Sequence, residues 1–311
     1  MSATLPPQAS IIAPGVDALF YTVTGVTVAV AIAIFVVIGV FAIRYRASAP
    51  RTATRLEAPA TRTRLEVAWT ITPLALFVGA FFWASRLYIE RSQPPADATD
   101  VFIVAKQWMW TAQHRTGQRE IDELHVPVGQ PLRLVMTSQD AIHSFFVPAF
   151  RAKQDVLPGR YTELWFTPTA PGRYHLFCAE YCGTDHSRMG GEIVALAPAD
   201  FERWLAGHPS GNDMAGRGRA LFMAHGCAGC HDANSTVHAP DLVGLYGKPV
   251  PLADGTVVVA DERYLRDSIL LPQRQVAAGY PPIMPSFAGR ISDEDLFDII
   301  DYVRSLGTAA R

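Results

Sequence analysis

Between Ala18 and Ile43 the chain runs for 26 positions without a charged side chain. As a helix, that stretch is about 39 Å long at 1.5 Å per residue, more than the ~30 Å hydrocarbon core of a bilayer requires. A second apolar stretch, Val67–Ile89, is broken only by Arg86 near its end, where a long side chain can reach the interface. The overall hydrophobic content of 49% leaves room for two membrane helices. No Lys or Arg precedes Ile43, and the apolar run exceeds the core of a cleaved leader, so it reads as an anchor.

Charge sets the orientation. The connection between the helices carries Arg44, Arg46, Arg51, Arg55, Arg62 and Arg64 against Glu57 and Glu66, while residues 1–17 carry no basic side chain. The positive-inside rule puts this connection in the cytoplasm and both termini outside. The net charge of −2 offers no basic surface for nucleic acid.

From about Asp97 the pattern becomes β. Val101–Val104, Leu132–Met136, Tyr161–Phe166, Tyr174–Phe177 and Glu192–Leu196 are short β-branched or aromatic runs, punctuated by Pro127, Gly129, Pro158-Gly159 and Pro171-Gly172. They predict a sandwich or barrel of about 100 residues. A polar linker, 207–213, precedes a helical region with helices expected at Ala215–His225, Asp261–Leu271 and Asp293–Leu306. Ser292 is an N-cap for the last of these and Gly307 its stop. The fold expected is a multidomain membrane protein. A two-helix hairpin occupies 1–95, a β-sandwich or barrel 96–206, and an all-α domain 214–311.

All four cysteines fall in metal-site patterns. Cys178-Ala179-Glu180-Tyr181-Cys182 is followed by His186 and Met189, which brings two thiolates, an imidazole and a thioether into twelve residues. This soft set suits copper in both oxidation states, and two cysteines four apart can bridge two ions. A dinuclear site needs another imidazole, and His143 in Asp140-Ala141-Ile142-His143 is the best candidate. Cys227-Ala228-Gly229-Cys230-His231 is the pattern of covalent haem c attachment, with the histidine as one axial ligand. Met284, in a run of prolines, is the only methionine after His231 and the expected second ligand; His238 is its rival. His114, His125 and His175 show no ligand spacing and read as strand or surface residues, and His225 and Met223 as structural ones.

From about residue 18 to 200 the chain resembles subunit II of haem-copper cytochrome c oxidases. The match rests on the helix hairpin, Leu65-Glu66-Val67-Ala68-Trp69, Gln107-Trp108-Met109-Trp110, Lys153-Gln154-Asp155 through Arg160, and the ligand loop. The resemblance implies a cupredoxin domain whose dinuclear copper centre, CuA, takes side chains from His143, Cys178, Cys182, His186 and Met189 and the backbone carbonyl of Glu180. It implies a magnesium ion at the Glu180 carboxylate, electron entry at Trp108, and a proton-channel mouth at Glu66. Plain packing for Trp108 and an ion pair with Arg62 or Arg64 for Glu66 stay open. Gly218, Phe222 and Tyr302 resemble the helix crossing of class I cytochromes c, and Pro240 the proline beside the proximal histidine.

Together these imply a caa-type oxidase subunit in the plasma membrane of a prokaryote. It would take electrons from an upstream respiratory donor through haem c and CuA to the haem and CuB of subunit I, where oxygen is reduced with proton translocation. The copper subunit of a nitric oxide reductase and a copper-delivery protein are the alternatives. The fused haem and Met189 speak against delivery.

Overall fold

The computed structural model describes residues 5–46, 60–208, 213–232 and 234–307. Arg51, Arg55 and Glu57 of the arginine-rich connection, the Arg62 side chain and linker residues 209–212 lie outside this description. Ile12–Gln93 form one compact unit, and Met1–Ile11 with Pro94–Arg311 form a second.

The first unit is a pair of helices, α1 (Ala13–Arg44) and α2 (Ala60–Ser92). Both outrun the apolar stretches read from sequence, and both are long and apolar enough to cross a bilayer. Their hydroxyls turn inward on the helix. Thr27 Oγ1 donates to Val23 O and Thr70 Oγ1 to Glu66 O, each at 2.8 Å, which satisfies polar groups without water. Arg86, near the end of α2, pairs with Glu90 one turn on at 2.8 Å.

The second unit begins with ten strands in two five-stranded sheets. In chain order they are β1 (Thr99–Lys106), β2 (Met109–His114), β3 (Arg119–Ile121), β4 (Glu123–Pro127), β5 (Leu132–Ser138), β6 (His143–Val147), β7 (Ala152–Val156), β8 (Thr162–Phe166), β9 (Gly172–Cys178) and β10 (Gly190–Leu196). One sheet has the order β3-β2-β1-β5-β8, the other β4-β10-β9-β6-β7. Two pairings are parallel: β1 with β5 inside the first sheet, and β4 with β10 at the edge of the second, so strands distant in sequence meet. Val101, Ile103, Leu134 and Met136 face Leu124, Phe145, Leu176 and Ile193 between the sheets. β1 is apolar on both faces because both are covered. Phe102 and Val104 point the other way, into a second core with Val135, Tyr161 and Phe297. Residues 9–11 lace onto this sandwich: Ala9 N donates to Ala149 O at 2.9 Å and Ile11 N to Thr167 O at 3.2 Å.

Next come α3 (Pro198–Gly207), α4 (Met214–Ala224), the single turn α5 (Ala228–His231), a β11–β12 ribbon (Pro249–Pro251, Val257–Val259), α6 (Glu262–Leu270) and α7 (Asp293–Ser305). The helix starts carry side-chain caps: Asp213 accepts from Gly216 N, Asp261 from Tyr264 N, and Ser292 from Asp295 N. α4 crosses α7 at Gly218, where a Cβ would lie 1.9 Å from Asp298 O and 2.8 Å from Tyr302 Cβ. Phe222 meets the Tyr302 ring edge-on at 5.3 Å.

Candidate metal and haem centres

His143 opens β6, Cys178 closes β9, and the turn between β9 and β10 carries the rest of the copper loop. The two sulfurs stand 3.8 Å apart. Around Cys178 Sγ lie His143 Nδ1 at 3.9 Å and the Glu180 carbonyl at 3.3 Å. Around Cys182 Sγ lie His186 Nδ1 at 3.4 Å and Met189 Sδ at 3.7 Å. Each thiol thus has its own imidazole, and six soft or carbonyl donors converge on one buried point. Their chemistry fits copper, and the two-sided layout fits two ions bridged by sulfur.

Electrostatics separates the two thiols. Burial raises Cys178, but the hydrogen bond with His143 and backbone amides outweigh it and hold the thiol at about 6. Burial and the neighbouring Cys178 push Cys182 up to about 12. A bound cation removes this conflict by taking both as thiolates.

Two residues that the sequence reading did not single out hold the site. Asp140 Oδ1 sits 2.8 Å from His143 Nε2, and Asp140 Oδ2 accepts from Gln107 N at 2.7 Å. Burial raises the Asp140 carboxyl, but the Gln107 amide and His143 outweigh it and keep it below its usual range. Gln107 Nε2 donates to Cys182 O at 2.7 Å, which ties the β1–β2 turn to the copper loop. Trp108, next along that turn, is half-buried and lies against Gly183, where a Cβ would come within 3.2 Å of its ring. Gly183 has φ +124°, so both backbone and space require glycine. Tyr181 is 75% exposed, with its ring edge against His186. The only sequence sign of Asp140 is its place three residues before a ligand candidate.

A mostly apolar cleft lies in the helical region. Cys227, Cys230, His231, His238 and Met284 all line it, together with Leu265 and Phe287. His231 Nδ1 bonds Pro240 O at 3.0 Å, which fixes the ring and leaves Nε2 for an axial ligand. His238 has its Nε2 bound to Gly279 O at 3.1 Å and its ring stacked on Tyr280. The apolar lining and the paired cysteines fit a covalently held porphyrin. His225 also lines the cleft, against Phe287.

The helical region is clamped to the first sheet through buried charge. Asp298, fully buried, accepts from Arg217 Nε and Nη2 at 2.9 Å each, from Gln113 Nε2 at 2.5 Å and from Arg119 Nη2 at 3.2 Å. Asp100 takes Arg133 at 2.7 Å and Arg304 at 2.5 Å, and Glu262 takes Arg133 at 2.8 Å. Phe297 lies on Phe102 and Tyr161, 4.8 Å from each. Single charges scattered over 200 residues gave no local signal of this clamp. Glu66 lies exposed on α2, and the Glu180 side chain is outside the buried cluster. His114 and His125 belong to strands, as read from sequence, but share one carboxylate, Glu120.

Residues 78–196 match the family described as cytochrome c oxidase subunit II, periplasmic domain, and residues 215–307 match the cytochrome c family. The chain is 28% identical over 258 residues to cytochrome c oxidase subunit 2 of Alkalihalophilus pseudofirmus, covering 76% of this chain and 72% of that protein. It is 32% identical over 154 residues to an alternative cytochrome c oxidase subunit 2 of Bradyrhizobium diazoefficiens, covering 40% of this chain and 56% of that one. The chain therefore spans about half the length of the second relative and nearly three-quarters of the first. The crystal structure of the periplasmic domain of subunit II of cytochrome oxidase of Bradyrhizobium japonicum is 28% identical, with a TM-score of 0.36 over 37% of this chain and 96% of that one. The chain thus joins a match to a subunit II periplasmic domain, which implies a copper centre, to a cytochrome c match behind it, which implies haem c.

Proposed function

We propose that this chain is the electron-entry subunit of a caa-type cytochrome c oxidase, receiving electrons at its own cytochrome domain and passing them through a dinuclear copper centre to subunit I. When bound, the haem and the copper pair supply reversible one-electron chemistry on the route to oxygen reduction. The single observation that carries the reading is the pairing of each buried thiol with its own imidazole, Cys178 with His143 and Cys182 with His186.

In this reading His143, Cys178, Cys182, His186, Met189 and the Glu180 carbonyl would hold two coppers. Cys227, Cys230, His231 and Met284 would hold the haem. Asp140 orients His143. Gln107 holds the Cys182 carbonyl in place, and the donor-packed, buried pocket excludes water. Trp108, packed on the copper loop, is the point of electron entry to the copper centre, while the Glu180 carboxylate takes magnesium against subunit I. Glu66 marks a proton-channel mouth on α2. Residues 1–95 are the membrane hairpin, 96–206 the copper domain and 214–311 the cytochrome domain, with both termini outside a prokaryotic plasma membrane. The arginine-rich connection supports that topology.

Elemental analysis of the purified chain tests the assignment. The expected result is two coppers and one haem iron per chain, with an electron-resonance signal split by two copper nuclei. One copper per chain with a mononuclear spectrum contradicts it.

A further inference from the structure

We propose that Glu120, Glu123 and His125 form a second metal site, for a divalent ion of the zinc class, at the β3–β4 corner, where the chain passes from one sheet to the other. Their donor atoms lie within 4.8 Å of one another, and none of the three belongs to the copper or haem centres. The chemistry is that of one imidazole and two carboxylates, which suits zinc, whereas all-oxygen sites suit calcium and magnesium.

Two of the three donors are already held by other groups, as ligands in metal sites usually are. Glu120 Oε1 accepts from His125 N at 3.0 Å and meets His114 Nε2 at 2.9 Å, while Oε2 faces His125 Nδ1 at 2.5 Å. His114 is buried, so it acts as a fixed prop for that carboxylate. The His125 ring is stacked on Trp204 of α3 at 4.5 Å and 13°, which sets its plane. An ion in this place would displace the hydrogen shared by Glu120 Oε2 and His125 Nδ1, and the two atoms would part to take it.

Glu123 is the adjustable donor. It now accepts from Arg173 Nη2 at 2.7 Å, and Arg173 also pairs with Glu192, so that cation keeps a partner if Glu123 turns to an ion. Ligands on a tetrahedral ion about 2.1 Å away stand about 3.4 Å apart, so Glu120 Oε2 and His125 Nδ1, now 2.5 Å apart, must open to admit the ion while Glu123 closes in. Two nearby cations, Arg119 and Arg217, bond Asp298. The site lines an open surface cavity with His208, which gives an ion a path from solvent and leaves room for water as the remaining ligand. Bound there, the ion would cross-link β3 and β4 beneath α3.

Equilibrium dialysis against Zn²⁺ of the full chain, with its copper centre and haem loaded, tests the site. We expect saturable uptake of one zinc per chain beyond the two coppers. His125→Ala and Glu123→Gln should each weaken it at least about tenfold, the scale on which lost metal-site groups act. Glu202→Gln, an exposed change on α3, should leave uptake unchanged. Unaltered haem and copper absorption in the variants shows that they are folded. Absence of saturable zinc uptake overturns the proposal, and so does equal uptake by wild type and His125→Ala.

Discussion

Asp140 Oδ1 lies 2.8 Å from Nε2 of His143, on the side of the imidazole away from Cys178. The carboxylate therefore fixes both the ring plane and which nitrogen faces the sulfur, the arrangement by which outer groups tune a metal ligand. Asp140→Asn should lower copper affinity by about 10- to 100-fold, measured by competition with a chelator, while the fold survives. Copper affinity equal to wild type would mean that His143 is held by its burial alone.

Gly218 offers a packing test. A Cβ there would lie 1.9 Å from the Asp298 carbonyl, a clash that no rotamer relieves. Gly218→Ala should force α4 from α7 and cost about 1–3 kcal/mol, the usual range for overpacking. Denaturant unfolding followed at the haem Soret band measures this.

The clamp between the sheet and α7 gives a larger effect. Removing the carboxylate in Asp298→Ala leaves Arg217 and Gln113 facing a buried void. Breaking one partner of a buried pair costs about 3–5 kcal/mol. The variant should unfold at a lower denaturant concentration than wild type, followed at the haem Soret band, with both metal centres loaded at the start.

Asp100 predicts a pH dependence. Burial raises its carboxyl, but Arg133 and Arg304 outweigh it and hold the group below its usual range when folded. A lowered carboxyl contributes stability that is complete above the ordinary value of about 3.9 and is lost as pH falls through the folded value. Asp100→Asn should therefore be less stable than wild type at neutral pH. The gap should close at pH values below that ordinary carboxylate range, as urea titrations at several pH values would register.

Much of this was legible in the sequence because local spacing carries it. The copper loop from Cys178 to Met189, the haem motif and the Ser292 cap are contiguous patterns, and their residues meet as read. Met284, the ligand candidate chosen by elimination, lines the same cleft as His231. What stayed hidden depends on pairing at a distance. The parallel register of β1 on β5 joins strands 33 residues apart, as at Asp100 and Arg133, and nothing local announces it. Strands β2, β4, β6 and β7 are short or carry charged residues such as Glu123 and Lys153, which blurs the alternation of apolar positions. The clamp at Asp298 gathers Gln113, Arg119 and Arg217 from three elements, a combination visible only after folding.

Electron passage between the two centres is the central claim, and flash reduction of the haem in the intact chain tests it most directly. Haem reoxidation and loss of the copper centre's absorption should follow one shared first-order rate, independent of protein concentration, and Met284→Ala should change the haem potential and that rate. A haem that reoxidises only in proportion to protein concentration, or with the copper absorption unmoved, would contradict the account.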